Sequence, residues 1–138
     1  MSRTFRNLVV FALSMTVAPA AFASSFNCSV VSAHAVADTG QVVTDTEHLQ
    51  SQVGSTFTVN QETGTIAGGY FINNAHSRSI DVVNEPQNNS LYVISRSHGP
   101  HEMVGYLYIG KHRSASTKPF IYTSSGEYIF TGFCAGGT

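Results

Sequence analysis

The stretch Tyr128-Ile129-Phe130-Thr131-Gly132-Phe133-Cys134 decides how this chain folds. Successive side chains of a strand point to opposite faces. Tyr128, Phe130, Gly132 and Cys134 therefore share one face, and Ile129, Thr131 and Phe133 share the other. Aromatic and β-branched residues fill the run, as a pleated, buried surface prefers. Its counterpart is Phe26-Asn27-Cys28-Ser29-Val30, with Phe26, Cys28 and Val30 on one face. These two segments hold both cysteines of the chain. Bridged cysteines need Cα atoms about 4.4–6.8 Å apart, so a Cys28–Cys134 bridge brings the first and last strands together. A meander whose ends meet is a closed barrel, and closure removes unpaired sheet edges.

Between these two segments the same alternation recurs in short runs. Phe57 and Val59 alternate with Thr56, Thr58 and Asn60. Gln61-Glu62-Thr63-Gly64 is a hairpin loop in which Gly64 supplies a positive φ. Thr65-Ile66-Ala67 starts the return strand, which bends at Gly68-Gly69 and resumes as Tyr70-Phe71-Ile72. Residues 80–83 and 91–96 form another hairpin, and 103–109 the next strand. Residues 119–123 and 127–134 pair across Ser124-Ser125-Gly126. Residues 41–44 are a short strand. Residues 46–53 carry Leu49 and Val53 at i, i+4 spacing and form a short helix that Gly54 stops. The expected fold is all-β: a small antiparallel barrel or closed sandwich of about eight strands, its terminal strands joined by a disulfide.

The beginning of the chain reads as a targeting segment. Arg3 and Arg6 precede an uncharged, mostly apolar run over 8–17, Pro19 breaks it, and Ala21-Phe22-Ala23 matches a cleavage site. Residues 1–23 are thus expected to be a cleaved signal peptide, and 24–138 a single β-rich domain. Ten helical residues rise only about 15 Å, half of a bilayer core of roughly 30 Å, so no retained span is expected. Removing the first 23 of 138 residues leaves 115, enough for one core. Export, periplasmic or extracellular, places both cysteines in an oxidising compartment, where a pair is read as a bridge.

Charge narrows the function classes. Charged residues make up 11% of the chain, against a usual figure of about 25%. The mature chain carries five Lys and Arg against eight Asp and Glu, so no basic face points to nucleic acid. No G-x-S-x-G elbow is present, and Gly68-Gly69 is followed by no Lys-Ser/Thr of a phosphate loop. Asp81, Glu85, Glu102 and Glu127 lie near strand ends, but nothing in their spacing selects an acid–base pair. No catalytic residue and no cofactor are assigned. His98-Gly99-Pro100-His101-Glu102 places two imidazoles three apart on a Gly-Pro turn. His98 and His101 are the candidate metal ligands, with His34, His48, His76 or His112 available to complete a set. Zinc sites take three or four placed ligands, so the plainer reading is a solvated turn.

The late strands carry large side chains on both faces. Tyr106 and Tyr108 oppose Leu107 and Ile109, Tyr92 opposes Val93, and Phe120 and Tyr122 oppose Ile121. A solvent-backed strand would alternate apolar with polar. Either a second layer covers this face or it is a binding surface, since tyrosine is enriched at interfaces. The candidate surface is Tyr92, Tyr106, Tyr108 and Tyr122. Lys111, Arg113 and Lys118 in the adjoining basic loop would steer an acidic partner toward it.

Four pieces together resemble a group of small exported proteobacterial proteins of unassigned function. They are Phe26-x-Cys28-x-Val30, the Phe57-Thr58-Val59-Asn60-x-x-Thr63-Gly64 hairpin, Lys118-Pro119-Phe120 and Thr131-Gly132-Phe133-Cys134. These motifs are structural, so the resemblance implies a bacterial envelope protein and no activity. Ser125-Gly126-Glu127-Tyr128, with an early and a terminal cysteine, is similar to the Ser-Gly loop and tyrosine of the periplasmic inhibitors of c-type lysozyme. The spacing departs from theirs elsewhere. The expected function is that of an exported, non-catalytic envelope protein, a binding or structural module whose partner is an envelope protein or glycan. Two alternatives stand beside it: an inhibitor of a cell-wall hydrolase, and a small metal-dependent or hydrolytic enzyme.

Overall fold

A computed structural model describes residues 24–44, 47–85, 90–97, 102–110 and 116–137; the signal-peptide reading of residues 1–23 lies outside them. The described elements are β1 (Ser25–Val36), β2 (Val42–Val43), α1 (Glu47–Gln50), β3 (Thr56–Asn60), β4 (Ile66–Ala67), β5 (Ser77–Glu85), β6 (Ser90–Ser97), β7 (Val104–Gly110), β8 (Thr117–Ser124) and β9 (Tyr128–Gly136). The strands form one antiparallel sheet in the order β4-β3-β1-β9-β8-β7-β6-β5, with β2 on the end of β1. The sheet curls into a half-barrel around its apolar face.

The first and last strands are partners in the middle of this order. β1 and β9 pair from Phe26↔Gly136 to Ala35↔Tyr128, and Cys28 stands directly opposite Cys134. The two are bridged, with Cα atoms 3.9 Å apart, and both are buried. The expected link between the chain's terminal strands is therefore present.

Val31 is an extra residue in this ladder: Val30 faces Gly132, and Ser32 faces Thr131. Such a bulge changes which face later residues occupy. Phe26, Cys28 and Val30 are buried before it, and Ala33 after it. Gly132 makes the close approach possible, because a Cβ there would lie 2.0 Å from the Ser29 carbonyl oxygen and 2.8 Å from the Phe120 ring.

Two sequential pairs of strands are not hydrogen-bonded: β2 and β3, which both pair with β1, and β4 and β5, which form the two ends of the strand order. At this seam Asn74 takes the place of a neighbouring strand. Its Oδ1 accepts from the Ile66 N–H at 2.8 Å, and its own N–H donates to the Ile66 carbonyl at 3.2 Å. Its Nδ2 donates to the Gly64 carbonyl at 2.8 Å. Buried backbone groups need partners, and here a side chain supplies them. Asn73 Nδ2 likewise donates to the carbonyls of Gly69 and Tyr70. These bonds fold residues 70–74 into a turn. The strand expected at Tyr70-Phe71-Ile72 is consequently absent, although Ile72 is buried in the core.

Side chains close the same seam. Gly64, at φ +69°, lies so near β5 that a Cβ would come within 2.5 Å of Val82 Cγ2 and 2.8 Å of Ile80 Cγ2. The tip of the β3–β4 hairpin thus seals against the inner side chains of β5. The core they join contains Phe26, Phe57, Leu91, Leu107, Ile109 and Phe130 among its buried members. Helix α1 spans only four residues and contributes buried Leu49, packing on β1. Burial of such a face, at about 25 cal/mol per Å² of apolar surface, is the main term stabilising a fold in which charged residues make up only 11% of the chain.

Candidate functional site

The register of β5 to β8 assembles an aromatic ladder on the face away from the core. Tyr92 stands opposite Tyr108, and Ile94 opposite Tyr106. Val83 continues the first row on β5, and Ile121 continues it on β8. One row across the sheet is therefore Val83–Tyr92–Tyr108–Ile121. The three tyrosines share their strands with buried Val93, Leu107 and Ile109 on the opposite face.

Their rings touch one another. Tyr92 lies 5.1 Å from Tyr108 and 6.2 Å from Tyr106 between ring centroids, at tilts of 38° and 42°. Each is half-buried by its neighbours. Burial raises the Tyr106 hydroxyl above its ordinary range, and the adjacent Tyr92 and Tyr108 hydroxyls push it the same way. Val83, Ile121 and Phe133 are exposed around the ladder. At its margin Arg96 donates to Asp81 at 2.5 Å, a solvent-exposed pair that fixes geometry more than it adds stability.

Two residues expected on this surface lie elsewhere. Tyr122 stands opposite Leu107 and belongs to the inner face, where it is 3% exposed and packs on Phe130. Its burial raises the hydroxyl above its ordinary range, while a hydrogen bond with the Ser124 side chain pulls the other way. Lys118 stands opposite Cys134, also in the inner row, and is half-buried at the strand's beginning. Lys111 and Arg113 lie outside the described residues.

His98 and His101, the candidate metal ligands, also fall outside the described residues. Among the described residues no group of three or more His, Cys, Asp or Glu is placed to hold a metal ion. The described histidines are dispersed. His34 shares a hydrogen bond with Ser32, His48 sets its ring against Tyr70 and Phe71, and His76 lines a cleft.

That cleft, about 820 Å³, opens at the end of the half-barrel where the 70–77 segment crosses the unpaired seam. Tyr70, Phe71, Tyr122 and Tyr128 supply its rings, and Glu102 and Glu127 its acidic groups. Sequence reasoning placed these two glutamates at strand ends without relating them; the fold brings both to one opening. The available signal was the Asn73-Asn74 pair, whose side chains turn the aromatic segment across the seam.

The hairpin turn beside the cleft has both central residues left-handed, Ser125 at φ 50° and Gly126 at φ 75°. Glu127 N–H donates to the Ser124 carbonyl at 3.0 Å, closing a two-residue turn suited to the twist of a hairpin. No helix among the described residues is long and apolar enough to cross a membrane. The chain matches no family model, no curated protein and no solved structure.

Proposed function

We propose that this protein is an exported, non-catalytic binding module that engages a protein partner of the cell envelope through the outer face of β5 to β8. The observation carrying this reading is the ladder Val83–Tyr92–Tyr108–Ile121 with Ile94 and Tyr106 beside it. The sheet already has a core on its other face, so these rings are not needed to complete one. Contiguous apolar residues on a solvent face mark interaction sites, and tyrosine combines apolar area with a hydroxyl and little entropy to lose. Export is supported by the leader-like first 23 residues and by the bridged cysteines.

The test compares the exported protein with its Tyr106→Ala/Tyr108→Ala variant and with Thr58→Ala, an exposed position on β3 outside the ladder. A partner recovered from envelope extract by the wild type and by Thr58→Ala should be lost by the double variant. Equal recovery by all three would remove the ladder from the binding surface.

A second reading, inhibition of a cell-wall hydrolase, draws on the exposed Ser125-Gly126 turn beside the cleft. Under that reading the protein suppresses lysozyme-type hydrolysis of cell-wall suspensions, and replacing Ser125 and Gly126 relieves it. Undiminished hydrolysis at saturating protein would discard it.

A further inference from the structure

The cleft at the open end is distinct from the outer ladder and has a chemistry of its own. Its volume of about 820 Å³ falls within the roughly 300–1,000 Å³ of small-ligand sites. Three features bear on what it would hold. The first is charge. The described lining includes Glu102 and Glu127, with His76 as its one basic side chain and no Lys or Arg. Both glutamates are exposed, so they project negative charge into the opening rather than pairing in the interior.

The second feature is the disposition of the rings. Tyr70 and Phe71 lie 5.0 Å apart at 83°, and Phe71 and Tyr128 5.7 Å apart at 44°. The rings stand at angles instead of forming one flat platform. A flat platform suits a sugar ring or a base. Faces set at angles suit a compact, round group, and the negative face of an aromatic ring attracts a cation.

The third is Tyr70. It is 72% exposed at the lip, while Phe71 beside it is anchored by Tyr128, Phe130 and His48. The Tyr70 ring stands against both Phe71 and His48, so it extends the aromatic wall to the lip, where a guest would meet it. The neighbouring Asn73 holds the Tyr70 carbonyl at 2.8 Å, so the backbone that carries this ring is fixed.

We infer that the cleft receives an alkylammonium group, either on a free small molecule or at the end of a lysine side chain. Tyr70, Phe71 and Tyr128 contact its methyl or methylene surface, and Glu102 and Glu127 balance its charge.

The test is a titration of the full mature protein, read from the ring signals of Tyr70, Phe71 and Tyr128 by NMR. The probes are choline, an N-acetylated lysine amide, and 3,3-dimethylbutan-1-ol, which has choline's shape without its charge. Choline or the lysine amide should give saturable shifts, and the neutral alcohol should bind about tenfold more weakly. Glu102→Gln with Glu127→Gln should weaken the charged probe about fivefold, and Tyr70→Ala should weaken it as well. All three positions are exposed, so the variants should retain the wild-type melting profile. Tighter binding of choline assigns a free ammonium compound; tighter binding of the lysine amide assigns a side chain from a polypeptide. Equal affinity for the alcohol, or no saturable shift by either cation up to about 100 mM, overturns the inference.

Discussion

Tyr92 and Tyr108 stand opposite each other across β6 and β7, with ring centroids 5.1 Å apart, on the face turned away from the core. Leu107, one residue before Tyr108, faces inward and stands opposite Tyr122. Two tyrosines one strand apart, Tyr108 and Tyr122, therefore have different structural roles, and substitution separates them. Tyr122→Ala removes a buried ring and should cost about 3–5 kcal/mol of stability. Tyr108→Ala removes a half-exposed ring and its stacking and should cost about 1 kcal/mol. Urea denaturation of the two variants measures the difference.

Asn74 is 4% exposed and completes the edge of β4. Asn74→Ala leaves the Ile66 N–H and the Gly64 carbonyl without their present partners. The expected loss is about 1–3 kcal/mol, the desolvation cost of unpaired buried polar groups. Hydrogen exchange at Ile66 should quicken before the β8–β9 ladder responds. Unchanged exchange at Ile66 would mean that the seam does not depend on Asn74.

The Cys28–Cys134 bridge closes a loop of 106 positions. Cys28→Ala/Cys134→Ala should lower stability by about 4–5 kcal/mol on the loop-entropy model. Intact mass before and after reduction and alkylation checks the bridge itself. Two native thiols that alkylate without reduction would contradict it.

The raised Tyr122 pKa gives stability a pH dependence. Burial is the larger cause, and the Ser124 hydrogen bond opposes it. The native state then holds the phenolic proton at pH values where the unfolded chain has lost it. This contribution is full below the ordinary value of 10.0 and is lost as pH rises from there through the folded-state pKa. Denaturation midpoints should fall above that pH in the wild type, and less steeply in Tyr122→Phe. Identical slopes would show that Tyr122 does not titrate with unfolding.

Period-two alternation was enough to recognise most of the strands, because each buries one face of a short run. The cysteines were enough to bring the first and last strands together. The inward side of β8 was not legible. Phe120 and Tyr122 share parity with Lys118 and Ser124, and Ile121 with Pro119 and Thr123, so both faces read as mixed. Only the partner strands decide: Gly132 opposite Phe120 and Leu107 opposite Tyr122 make that parity the core. The Val31 bulge was hidden for a similar reason, since valine suits either face of a strand. At residues 70–72 an aromatic run reads as a strand, but two asparagine side chains take the backbone groups that strand pairing would use. Those local bonds are what create the cleft.

The claim that the tyrosine ladder is the binding surface is tested most directly by site-specific photocrosslinking in cells exporting the protein. Benzoylphenylalanine replaces Tyr106 in one sample, Tyr108 in a second and Thr58 in a third. Irradiation should yield one discrete adduct of the same mass from positions 106 and 108 and none from position 58. No adduct from the ladder positions in folded, exported protein, or the same adduct from all three, would contradict the assignment.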